Sequence, residues 1–271
     1  MDTSNSILFV LVLYNCKLTD SKSYNTFLKK NNKLSIYVYD NSPYKQQITL
    51  PNIKYIHNPS NPGLGTAYNT AAKYAIAKHY KWIMILDQDT TFPQNALQQY
   101  LNAINEHPSI LLFAPKHKIT NGKYLSPTPY YHKTSKLQNS APTGVIKLLP
   151  YAPINSGMLI NLSLFIKAGG YDEKVRLDFS DIRFIEKARK VIDTFYVVNT
   201  TCLQDYSGNE TNIAKLKNRF RIFCQCAKAC ERKSVKDSIE YFYATFKRCM
   251  SLSIKNVDLS FITIFIQNYI L

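Results

Sequence analysis

The sequence predicts an α/β fold, a mostly parallel, twisted sheet flanked by helices, with a basic helical region towards its C-terminal end. Short and almost wholly apolar runs end abruptly in polar or acidic residues, the pattern of strands buried on both faces. Between these runs lie helical segments of ten to fifteen residues, the usual connection between parallel strands. A length of 271 residues suits one large α/β domain with a helical appendage.

In chain order, Ile7–Tyr14 reads as the first strand and Thr19–Lys30 as a helix. Leu34–Tyr39 is the second strand, closing on the turn Asp40-Asn41-Ser42-Pro43, and Ile53–His57 is the third. A rigid loop rich in Asn, Pro and Gly runs from Asn58 to Gly65 and leads into the Ala-rich helix Thr66–His79. The fourth strand is the run Trp82–Leu86, followed by a helix over Pro93–Glu106 and a fifth strand over Ile110–Ala114. His117–Pro150 has weak periodicity and is expected to be loops with one short strand, Val145–Leu149, as a lid or substrate loop would be. Leu162–Ala168 and Ile182–Lys190 read as helices, and Val191–Asn199 as a strand. From Asn212 onward the chain is helical and basic.

A hydrophobic fraction of 45% excludes a disordered chain. The net charge of +16 favours anionic partners such as nucleotide phosphates, nucleic acid or an anionic membrane surface, without choosing among them. The apolar run Ile7–Leu13 has no basic residue before it and is far short of the ~20 residues a bilayer needs, so neither an export signal nor a membrane-spanning helix is expected. The six cysteines form no paired framework, and a zinc site among Cys224, Cys226 and Cys230 lacks four convergent ligands. Reduced thiols fit a cytosolic setting.

The chemistry is expected at Leu86-Asp87-Gln88-Asp89. If the strand continues through this stretch, Asp87 and Asp89 point the same way and repel unless a cation or donor lies between them. At the carboxyl end of a buried strand such a pair fits a divalent metal and a phosphate-bearing substrate. A solvated acidic turn is the plainer alternative.

Taken together, six ordered motifs resemble glycosyltransferase family 2, in particular its rhamnosyltransferase-like branch. They are Leu13-Tyr14-Asn15, Tyr39-Asp40-Asn41-Ser42, Asn61 to Asn69, Asp87-Gln88-Asp89, the pair Asn155-Ser156-Gly157 with Gly170-Tyr171-Asp172-Glu173, and Leu177 to Asp181. The resemblance implies an A-type glycosyltransferase fold with a Rossmann-like nucleotide-binding half. It implies a catalytic domain over residues 1–210, with a nucleotide-sugar half (1–115) and an acceptor half (116–210), and a basic helical extension over 211–271.

By the same resemblance, Tyr14, Asn15, Asp40, Asn41, Gly63, Gly65, Asn69, Asp87 and Gln88 bind the nucleotide sugar. Asp89 and Asp87 hold Mn²⁺ or Mg²⁺, and Asn155, Ser156 and Gly157 meet the acceptor. Asp181 is the general base of a single displacement that inverts the anomeric centre, with Asp178 as the alternative base. The implied partners are a UDP or dTDP sugar, dTDP-rhamnose or a UDP-hexose, and a glycan or lipid-linked glycan of a bacterial surface polysaccharide or lipopolysaccharide. Two positions depart from the family pattern. Gln204 stands where a metal-binding His is common, so that its amide oxygen, a weaker ligand than imidazole, or else Asp205 takes that place, and Arg183 stands where a second acidic residue is usual after the base.

These departures keep a silent relative, acting as a scaffold in a glycan-assembly complex, as an alternative. The charge keeps a nucleic-acid-binding protein as another, although no recognised nucleic-acid motif is present. For the C-terminal region three uses stay open: peripheral attachment to the cytoplasmic face of an inner membrane, a cap on the catalytic domain, and a homodimer interface.

Overall fold

The computed structural model describes residues 3–205 and 211–271. The N-terminal half runs β1 (Ile7–Leu13), β2 (Ser35–Asp40), β3 (Ile53–His57), α1 (Leu64–Ala77), β4 (Trp82–Asp87), β5 (Thr90–Thr91), α2 (Ala96–Glu106) and β6 (Leu112–Lys118). It continues through β7 (Tyr124–Ser126), β8 (Thr128–Tyr131), β9 (Thr134–Ser135), β10 (Gly144–Lys147), β11 (Tyr151–Ala152) and β12 (Leu159–Asn161). Then follow α3 (Leu162–Lys167), α4 (Ser180–Ala188), β13 (Thr194–Gln204), α5 (Ile213–Ala229), α6 (Val235–Asn256) and α7 (Ser260–Phe265).

The main path of the large sheet is β10-β13-β6-β12-β4-β1-β2-β3. β1 pairs in parallel with β2 and β4, β2 with β3, and β6 with β13. Because β12 lies antiparallel between β4 and β6, all of these strands point the same way. Every residue of β1 is buried, and its side chains alternate between two cores: Leu8, Val10 and Val12 face α1, while Phe9, Leu11 and Leu13 face α2. Strand order reverses at β1, which lies between β2 and β4. The carboxyl ends of β1 and β4 therefore open onto the crevice where open α/β sheets hold ligands.

Several boundaries differ from the sequence expectation. Over Thr19–Lys30 there is a turn at Leu18–Asp20 and a single wide helical turn at Tyr24–Leu28. The hydroxyls explain this: Ser21 and Ser23 donate to the backbone carbonyls of Gln88 and Asp87, and so tie the segment to the end of β4. His117–Pro150 holds more structure than expected, since β6 runs on to Lys118 and β7 to β10 follow. The last strand begins at Thr194 and reaches Gln204 because its far end pairs with β5 and β6. The segment Tyr206-Ser207-Gly208, part of the departure noted above, lies outside the described residues.

The C-terminal helices pack on one another through Phe220, Cys224, Cys249, Phe261 and Phe265. A second cluster joins them to the sheet-bearing part of the chain, with Val175 and Phe179 against Cys226, Ala227 and Tyr241. Residues 211–271 thus form one wall beside the loop that leads into α4.

Candidate active site

Asp87 closes β4, and the chain then turns at Gln88 and Asp89, so the strand does not continue through both carboxylates as the alternation argument required. They stay close nonetheless. Burial lifts the Asp87 carboxyl to about 7, with the charges of Asp89 and Asp181 adding to the effect. Burial also raises Asp89, and it lifts Asp181 to about 6. Three carboxylates from β4, the following turn and α4 thus converge at the carboxyl edge of the sheet, each destabilised as an anion.

Hydroxyls and amides fix the turn. The Asp87 amide donates to Ser156 Oγ at 3.2 Å, and Tyr68 of α1 donates to Asp87 Oδ1 at 3.3 Å. Gln88 reaches back to β1, accepting from the Tyr14 amide at 2.8 Å and donating to the Tyr14 carbonyl at 3.2 Å. This residue locks two strand ends together. Asn15, at φ +50°, donates through its amide to Ser42 Oγ at 2.9 Å.

Gln204 lies between Thr90 and Asp89. Its amide nitrogen donates to Asp89 Oδ1 at 2.8 Å, while its carbonyl oxygen accepts from Thr90 Oγ1 at 2.5 Å. With its oxygen turned to Thr90 and its nitrogen to the acid, Gln204 orients Asp89. Asp205 is paired with Lys22 at 2.6 Å. Among the described residues no group of three or more His, Cys, Asp or Glu side chains could cage a metal. The two carboxylates Asp87 and Asp89 do fit Mg²⁺ or Mn²⁺ bound by one or two carboxylates, with phosphate and water completing the shell. Replacing Gln204 by Ala removes the donor that lowers the Asp89 carboxyl, and any Mn²⁺-dependent ligand binding should then require a higher pH. Titrations across a pH series check this.

Asp181 lies in the first turn of α4 and is half-buried. Its Oδ1 accepts the Ile182 amide at 2.7 Å. Asp178, the alternative base, is gripped by both terminal nitrogens of Arg219 from α5, one of them at 2.8 Å. This pairing engages both carboxylate oxygens of Asp178 with one cation. Asn155 links the two sides of the site, accepting from Tyr171 Oη at 2.8 Å and donating to Ser180 Oγ at 3.0 Å. Tyr171 in turn stacks on Phe184 of α4 at 4.6 Å. At Gly157, φ is +78° and a Cβ would strike Pro115 at 2.5 Å, so the segment can pass β6 only with glycine there.

The loop residues expected at the nucleotide make other contacts. A Cβ on Gly63, where φ is +106°, would lie 2.5 Å from the Arg176 carbonyl oxygen, and one on Gly65 would lie 2.8 Å from that of Asp172. Asn69 accepts from the Tyr171 amide at 2.9 Å and donates to Glu173 at 2.8 Å. Gly63, Gly65 and Asn69 therefore hold the 171–176 loop, which leads on to Asp178 and Asp181. Asp40 is fully buried, accepting from the Ser42 amide, Gln46 and Tyr55 at 2.8–2.9 Å, so its carboxylate organises the turn after β2. Asn41 is buried beside it, with an unpartnered Oδ1.

Beside these turns a cleft of about 760 Å³ opens past the ends of β1 and β2, lined by Asn15, Lys17, Ser42, Tyr44, Lys45 and Gln46. Lys17, Lys22, Tyr44 and Arg219 escaped the sequence reading because none belongs to a motif. Lys22 and Arg219 become visible only once their partners, 183 and 41 residues away, are placed.

The model of the family described as glycosyl transferase family 2 matches residues 22–165. No curated protein sequence matches the chain. Among solved structures it is similar to S. aureus TarS residues 1–349, with 15% identity, 96% of this chain and 78% of that chain covered, and a TM-score of 0.56. The same protein in complex with UDP-GlcNAc gives 15% identity, coverage of 97% and 79%, and a TM-score of 0.55. A structure of GalNAc-T7 with UDP, GalNAc and Mn²⁺ gives 14% identity, 88% coverage of this chain and a TM-score of 0.54. The chain spans 53% of that longer protein. At these identities the likeness shows the fold, which is the A-type glycosyltransferase fold.

Proposed function

The chain belongs to glycosyl transferase family 2, and on that footing we propose that it moves a sugar from a nucleotide-diphosphate sugar to a hydroxyl of a glycan acceptor, with inversion. The observation that carries this reading is the convergence of Asp87, Asp89 and Asp181 at the strand ends, with Asp178 already neutralised by Arg219. The nucleoside fits the cleft past β1 and β2, where Lys17 and Lys45 offer cations and Tyr44 an exposed ring. The donor in this reading is dTDP-rhamnose or a UDP-hexose.

Asp87 and Asp89 would hold Mg²⁺ or Mn²⁺, which when bound supplies positive charge to the departing diphosphate. The acceptor hydroxyl attacks the anomeric carbon from the face opposite the phosphate and gives its proton to Asp181. A new C–O bond forms as the sugar–phosphate bond breaks, and the nucleoside diphosphate leaves. Lys22, beside Asp205 and close enough to Asp89 to lower its pKa, adds fixed positive charge on that side. The acceptor we propose is a surface glycan or its lipid-linked precursor, met at the cytoplasmic face of a membrane.

Calorimetric titration with UDP and with dTDP, each with and without Mn²⁺, tests this reading. Binding should strengthen with Mn²⁺, and Asp89→Ala should reduce the Mn²⁺-dependent affinity by about tenfold to a hundredfold. Folded protein that binds neither nucleotide would remove the transferase reading and bring the scaffold alternative forward.

A further inference from the structure

The helix α6 has two unlike faces. One, through Tyr241, Ala244, Thr245 and Cys249, is buried against the other helices and the loop before α4. The other carries Val235, Ile239, Phe242 and Phe246 at spacings of four, three and four residues, which is one continuous stripe on a helix. Val235 is 78% exposed and Ile239 is 62% exposed. Phe242 and Phe246 stack on each other at 5.7 Å and rest on Phe265 of α7, so the stripe is braced from beneath. Such a contiguous apolar strip is costly in water and marks a docking surface.

The charges beside the stripe identify what docks. Both acids of α6 are engaged elsewhere, Glu240 by His132 at 3.1 Å and Asp237 by Lys133 at 3.1 Å. Lys236, Tyr243 and Lys247 form a row along the stripe, with the Lys247 ammonium 5.7 Å from the Tyr243 ring. Residues 211–271 carry eleven lysines and arginines against four acids. Two copies meeting through this face would set like charges against each other. Among the described residues no helix is long and apolar enough to cross a membrane, which suits a helix lying on a surface.

We propose that the stripe on α6 docks on the surface of an anionic lipid bilayer, with Val235, Ile239, Phe242 and Phe246 entering the acyl boundary and Lys236 and Lys247 at the headgroups. The inference deepens the transferase reading, since it places the enzyme where a lipid-linked acceptor is presented. It depends on that reading only for its purpose. Through Phe179 on Tyr241 and Asp178 on Arg219, the docked helices also touch the loop that leads to Asp181.

Co-sedimentation of the full chain with phosphatidylcholine vesicles, with or without phosphatidylglycerol, tests it, with nucleotide titration on the same samples. The protein should partition onto the anionic vesicles and much less onto the neutral ones. Val235→Ser/Ile239→Ser, at side chains outside the packed clusters, should lose about tenfold per residue with nucleotide affinity unchanged. Lys236→Glu/Lys247→Glu should lose at least about fivefold per lysine. Equal partition onto both vesicle types, an unaffected serine variant, or no partition at all overturns the inference. A dimer seen by light scattering and lost in the serine variant would make the stripe a contact between copies instead. Nucleotide binding without vesicle binding overturns this inference alone, while vesicle binding without nucleotide binding overturns the transferase reading alone.

Discussion

Asp181→Asn should reduce sugar transfer by about 10²–10⁴-fold, the range for loss of a positioned general base, while making the protein more stable. The second half follows from the raised carboxyl. Burial holds Asp181 at about 6, against an ordinary aspartate value of ~3.9. As pH climbs, the unfolded chain releases this proton first, so the native state loses stability between about pH 4 and pH 6. Above that window the buried anion costs on the order of 3 kcal/mol. Asparagine removes the cost. Denaturant unfolding should therefore show the variant ahead by about 2–3 kcal/mol at pH 8, with the gap closing below about pH 4. Transfer by the unaltered enzyme should fall about tenfold per pH unit below about pH 6, as expected for a base that must be ionised. A variant both inactive and destabilised at pH 8 would place the essential carboxylate elsewhere.

Arg219→Ala should damage stability and the pH profile together. It leaves Asp178 charged, mostly buried and unpaired, only three residues from Asp181. Breaking a buried pair costs ~3–5 kcal/mol, and the partial exposure of Arg219 brings the expected loss to about 2–3 kcal/mol. Asp178 already pushes the Asp181 carboxyl upward, so freeing its charge should push it further and move the acidic limb of the activity profile above pH 6. Asp178→Asn in the same chain should restore both properties, which a generic packing defect would not allow. Activity profiles and unfolding curves of the single and double variants check this.

The parallel core and its acidic edge were legible in the sequence because they rest on local pattern. Ile7–Leu13 and Trp82–Leu86 are apolar on both faces, and Asp87 follows directly. Between β4 and β6, however, the sheet takes an antiparallel strand of three residues, Leu159–Asn161, too short to show a period. The strands between Lys118 and Pro150 have two to four residues and are defined by partners, not by composition. Gly63 and Gly65 were legible as a special loop but not for their purpose, because the backbone that crowds them lies more than a hundred residues away. At Gln204 the residue type suggested an oxygen donor. The neighbouring Thr90 hydroxyl and Asp89 carboxylate decide which end of the amide faces the acid.

That amide closes a chain of hydrogen bonds that has a direction. The Asp87 N–H points at Ser156 Oγ, so the Ser156 proton is free to turn towards Thr90 Oγ1, 2.7 Å away. The Thr90 proton goes to Gln204, and Gln204 donates to Asp89. The dipoles thus align head to tail and end on one carboxylate, and each polarises the next. The positive, donor end of this alignment faces Asp89, at the turn proposed to offset the charge of a departing diphosphate. Threonine at Ser156 preserves the sense of the chain and alanine interrupts it, so the hydroxyl, more than the size of the residue, sets the strength with which Asp89 is held.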